Sequence, residues 1–226
     1  MVELVNVKRC VVKHFAIDEE HAFVQYSLTM SEDDFKAITT PQGGANTHIG
    51  SKKILVQALD ISGSMYGQPM DALKKGAQLM GDKYFASEEP PFEKFITILH
   101  DHEIQTFEAE SHEQYKARIA RTDARGGNNF MNVFVTINKI LDENPNTEEL
   151  ICVFVTDGQD CDPGHRSEDP NADYLRVSQE LKARPNLRTK FLSVGFSRNH
   201  DAAFMNKIAN FGSEMGNFVY IDTSDR

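Results

Sequence analysis

The chain has 226 residues, 40% of them apolar and 26% charged, which suits one large α/β domain or a medium domain with an extension. No apolar run approaches the roughly 18 residues that a membrane helix needs, so no transmembrane segment is expected. The net charge of −10 disfavours wrapping nucleic acid or lying on an anionic membrane.

Residues 2–14 are rich in valine, Asp18-Glu19-Glu20 reads as a turn, and residues 22–28 alternate like a half-buried strand. This pattern predicts a β-hairpin packed on the edge of the main domain. Residues 40–50 follow as a polar, glycine-containing linker, so residues 1–51 form an N-terminal extension and residues 52–226 the main domain. From there apolar strands alternate with amphipathic helices. A strand over 54–59 runs into Asp60, and Pro69 stands where a helix can begin, because its missing N–H is not needed in the first turn. Met70, Leu73, Ala77 and Met80 keep helical spacing behind it. Strands are predicted at 95–99 and 103–107, then helices at 113–121 and 130–141. The run 150–155 is the most apolar, which places it at the centre of a sheet. A helix over 172–181, a strand over 191–194, a helix over 201–210 and a strand over 218–221 complete the series. The alternation predicts an α/β fold with a mostly parallel sheet flanked by helices on both faces, and with an N-terminal β-hairpin extension.

In such sheets ligands collect outside the carboxyl ends of the strands. Three polar turns fall there. The first, Asp60-Ile61-Ser62-Gly63-Ser64, offers one carboxylate and two hydroxyls at alternating positions. Hard oxygens on one tight turn suit Mg²⁺ or Mn²⁺, which prefer oxygen donors in near-octahedral geometry at about 2.0–2.1 Å. The second is Gly126-Gly127-Asn128-Asn129 leading into a helix, and the third is Thr156-Asp157-Gly158 after the most apolar strand. Convergence of the three would bring Asp60, Ser62, Ser64, Asn128 and Asp157 to one ion.

These turns, in this order and spacing over about residues 52–222, resemble the metal-ion-dependent adhesion site of von Willebrand factor type A (vWA) domains. The resemblance implies a Rossmann-like, doubly wound sheet with a cation at its C-terminal end, with Asp60 and both serines at the metal and Asp157 acting directly or through water. It also implies a metal-dependent protein–protein interaction module in which a partner's Asp or Glu fills the remaining coordination position. Two departures stand out. Asn128 replaces the family's middle-loop threonine, and the family's usual last helix does not follow Asp222. Asn129 matches the family's next residue and is expected to start a helix. The competing reading is a scaffold or assembly domain with a degenerate metal site, contacting partners through the hairpin or a sheet edge in a ubiquitin-related or cytoskeletal assembly. A metal-dependent hydrolase lacks a nominated general base.

The remaining candidates have plainer explanations. Cys10, Cys152 and Cys161 are an odd, sparse set, and the opening ten residues lack the order of a signal peptide. Both features predict reduced thiols and a cytoplasmic protein. Cys152 belongs to a core strand. Asp160, Cys161, Asp162 and His165 match no zinc spacing and are expected to rim the first site. His100, Asp101 and His102 are expected in a solvated turn, and Arg118, Arg121 and Arg125 on an exposed helix face. No phosphate-binding loop, nucleophile elbow or paired-histidine metalloprotease motif occurs, and the chain is not expected to be an enzyme.

Overall fold

The computed structural model describes residues 11–16, 22–27, 52–158, 170–196 and 200–221. The expected turn at 18–20, the linker at 40–50, the polar loop at 160–165 and the segment after Asp222 lie outside these residues. Two compact units divide the chain, Met1–His48 and Ile49–Arg226. In the first, β1 (Val11–Ala16) and β2 (Ala22–Ser27) pair antiparallel, with Val11 opposite Ser27 and Ala16 opposite Ala22.

The second unit is built on strict two-residue alternation. Along β3 (Lys53–Asp60), Ile54, Val56 and Ala58 enter one apolar cluster, and Leu55 and Leu59 enter the other. The chain then makes a 3-10 turn, Gly63–Met65, before α1 (Gln68–Phe85). Gly67 at φ +84° re-aims the backbone into that helix, a conformation that L side chains rarely adopt. Next come β4 (Lys94–His100), β5 (Ile104–Glu108), α2 (His112–Ala120), α3 (Phe130–Glu143) and β6 (Glu149–Thr156). The last described elements are α4 (Pro170–Lys182), β7 (Arg188–Phe196), α5 (Ala202–Ala209) and β8 (Asn217–Ile221).

Among the described residues these strands form one six-stranded sheet in the order β5-β4-β3-β6-β7-β8. All neighbours run parallel except β4 and β5. That exception has a simple cause. Only residues 101–103 separate those strands, and a parallel crossover needs a dozen residues or more. Residues of α1 and α2 pack on one face with Leu55, Leu59, Phe95 and Val153. Those of α3, α4 and α5 pack on the other with Val56, Ile98, Phe154 and Phe191. The apolar strand β6 sits beside β3 at the sheet centre, as its composition predicted. From β3 the chain winds towards β4, and from β6 it winds the opposite way towards β7. The crevice between their carboxyl ends is therefore the topological switch point.

One helix pair carries a steric signature. Tyr115 on α2 is 1% exposed, and its hydroxyl donates to the Ala77 carbonyl at 2.8 Å. A Cβ on Gly81 would stand 2.2 Å from the Tyr115 ring. Gly81→Val is therefore expected to lower stability by about 1–3 kcal/mol, read as a lower urea midpoint with an unchanged slope.

Candidate metal centre

Asp60 is the last residue of β3 and shares the face of Ile54, Val56 and Ala58, so alternation carries a carboxylate to the rim of an apolar layer. It is fully buried. Oδ1 accepts from the Ser62 backbone N–H at 2.7 Å, which bends the chain immediately after the strand. Oδ2 accepts from the Asn128 amide nitrogen at 2.8 Å and from the Thr156 hydroxyl. Register accounts for Thr156: Leu59 lies opposite Val155, so the next residues of β3 and β6 face each other.

The two serines link the first loop to the third. Ser62 Oγ and Ser64 Oγ lie 3.0 Å apart, and Ser64 Oγ donates to Asp157 Oδ1 at 2.8 Å. Ser62, Asn128 and Asp157 are buried at 3%, 4% and 5% exposure, whereas Ser64 is exposed and opens the cluster to solvent. The Gly158 N–H donates to Thr156 Oγ1 at 3.1 Å, closing the third turn. Burial pushes the Asp157 carboxyl above its ordinary range, and the nearby Asp60 charge adds to that, against the Ser64 hydroxyl bond that holds it down.

The structure thus brings all five expected residues together, and adds Thr156, which sequence reasoning passed over as part of a turn. Its one sequence signal is that it is the residue next to Asp157 at the end of the central strand. Asn129 caps α3, its side chain accepting from the Asn132 N–H at 3.2 Å. Asn128 directs its NH₂ group, not its carbonyl, at Asp60. Its Oδ1 is buried with no hydrogen-bond partner.

Two expectations about the neighbouring loop are corrected. His100 and Asp101 are fully buried rather than solvated, and only His102 reaches solvent. His100 continues β4, whose inward face stacks its ring on Phe154 at 5.3 Å. The three arginines share no helix face either. Arg118 lies over the Phe107 ring at 4.3 Å, while α2 ends before Arg125, whose guanidinium pairs with Asp101.

No protein-family model and no curated protein matches the sequence. Solved structures do. The chain superposes on a von Willebrand factor type A protein from Catenulispora acidiphila with TM-score 0.59 and 22% identity, over 76% of this chain and 39% of that one. The chain has the vWA fold. Proximal thread matrix protein 1 from the mussel byssus, solved with a zinc-occupied MIDAS motif, matches with TM-score 0.56 and 13% identity over 77% of this chain and 43% of that one. The manganese-loaded TRAP protein of Plasmodium vivax matches with TM-score 0.53 and 18% identity over 77% and 70%. The chain spans about two fifths of the length of the first two.

A divalent cation, which this fold implies, fits the residues present. Two buried carboxylates and two hydroxyls supply hard oxygen donors, and every donor seen on Asp60 is neutral; the unpartnered Asn128 carbonyl would join them on rotation of the amide that now donates to Asp60.

Proposed function

We propose that this vWA domain holds Mg²⁺ or Mn²⁺ through Asp60, Ser62, Ser64, Asn128 and Asp157, and uses it to bind a protein partner through an Asp or Glu side chain. The observation that carries this reading is the link between two buried carboxylates through the first loop: the Ser62 N–H donates to Asp60, and the Ser62 and Ser64 hydroxyls lead on to Asp157. Placing like charges so close inside a protein is costly unless a cation neutralises them. Bound there, a dication supplies that charge and a coordination position open to an outside carboxylate. Exposed Ser64 provides the opening. The metal-loaded relatives on the same fold add support.

A second reading, a scaffold with a degenerate site, has one observation in its favour. The Asn128 NH₂ group satisfies a carboxylate oxygen that a metal would otherwise use. Mn²⁺ titration followed by calorimetry separates the two. The metal reading expects saturable one-site binding that Asp60→Ala abolishes. The scaffold reading expects none in the natural sequence, with binding created by Asn128→Thr. For the partner, peptides selected in Mn²⁺ and released by EDTA are expected to carry Asp or Glu and to lose binding when that residue becomes Asn or Gln. Selected peptides without an acidic residue would refute the partner chemistry.

A further inference from the structure

The loops around the candidate centre are joined through one buried residue that is not itself a metal ligand. Asp101 follows β4 and is fully buried. Its Oδ1 accepts from the Glu103 N–H at 2.6 Å, and its Oδ2 accepts from Arg125 Nε at 2.9 Å. Its carbonyl accepts from the Asn129 N–H at 3.1 Å, next to Asn128. Arg125 in turn donates its backbone N–H to the Ile61 carbonyl at 2.7 Å, between Asp60 and Ser62. One residue on, the Gly126 carbonyl accepts from the Gly63 N–H at 3.0 Å. Gly126 holds φ +66°, and a Cβ there would lie 2.3 Å from the His102 ring and 3.3 Å from Asp101 Oδ2.

Asp101 therefore reaches both metal-bearing loops: the second through its own carbonyl, the first through Arg125. Its carboxylate also gathers with His102 and Glu103 in an arrangement that could suggest a second cation site. The Arg125 guanidinium already supplies positive charge there, bonded to Asp101 and 3.4 Å from Glu103 Oε2. A second dication would have to displace it.

We propose that Asp101, acting through Arg125, is a positioning residue that sets the spacing of the Asp60–Ser64 turn against the Asn128 turn and so tunes cation affinity. This rests on the metal-binding reading above. Groups that orient ligands from outside the coordination sphere commonly change metal affinity 10–100-fold when removed.

The test uses Asp101→Asn and Arg125→Ala, the second at a half-exposed side chain chosen to leave the fold intact. In EDTA, amide hydrogen exchange at Gly63, Arg125 and Asn129 is expected to quicken at least tenfold in both variants, with β3 and β6 protection unchanged. Mn²⁺ affinity is expected to fall about tenfold or more, and Arg125→Lys to recover part of it. Unchanged exchange in both variants overturns the tether. Faster exchange with unchanged Mn²⁺ affinity overturns the positioning role. If the natural sequence binds no Mn²⁺, the metal reading fails and the positioning role fails with it, while exchange still decides whether the tether exists.

Discussion

Phe154→Ala should cost about 3–5 kcal/mol, the largest loss expected from a single substitution here. Phe154 is fully buried in β6, with ring neighbours on three sides. Its ring lies 5.7 Å from Phe134, 5.2 Å from Phe130 edge-on and 5.3 Å from His100. Each neighbour is itself fully buried and held by its own strand or helix, so the space left by the ring closes poorly. The loss should appear as a lower denaturant midpoint with an unchanged slope. It should also reach the site. Phe130 begins α3 directly after Asn128 and Asn129, and Thr156 follows Phe154 by two residues on the same strand. A loss below about 1 kcal/mol would mean that the aromatic layer repacks freely.

The second large effect is stabilisation by the cation. A ligand that binds only the folded state adds about 2.7 kcal/mol at a free concentration one hundred times its Kd. Mn²⁺ at that level should raise the unfolding free energy of the natural sequence by this amount and leave Asp60→Ala unmoved. The pH dependence sharpens the test. In EDTA the Asp157 carboxyl titrates above its ordinary range, because burial and the Asp60 charge disfavour its ionised form. The folded state then holds that proton more tightly than the unfolded chain. Its contribution is fully present below the ordinary aspartate range and is lost as pH rises through the elevated folded value. Saturating Mn²⁺ should reverse the slope, since the ion binds the ionised carboxylate and competes with protons. Asp157→Asn should flatten the metal-free slope over that window. A metal-free protein whose stability rises across the same window, with Asp157→Asn unchanged, would contradict the assigned burial of Asp157.

Much of the architecture was legible along the chain because the signals are local. Strand alternation in residues 54–59, helical spacing from Met70 to Met80 and the apolar run 150–155 each depend on neighbours within a few residues. So does the placement of polar turns after β3 and β6. With the glycine turn before residue 130, these patterns singled out Asp60, Ser62, Ser64, Asn128 and Asp157 as candidate ligands and predicted an α/β sheet with its polar turns at the strand ends.

Other features came into being only when distant segments met. The register that sets Leu59 against Val155 decides that Thr156 bonds Asp60, and a one-residue slip would turn it to the other face. The direction of the Asn128 amide follows from the Asp60 oxygen it meets across 68 residues of chain. The burial of Asp101 depends on the loop that carries Arg125 and Gly126 folding over it. Periodicity along a chain reports which side of an element is apolar. Hydrogen bonds between loops depend on strand order and register, and those exist only in the folded sheet.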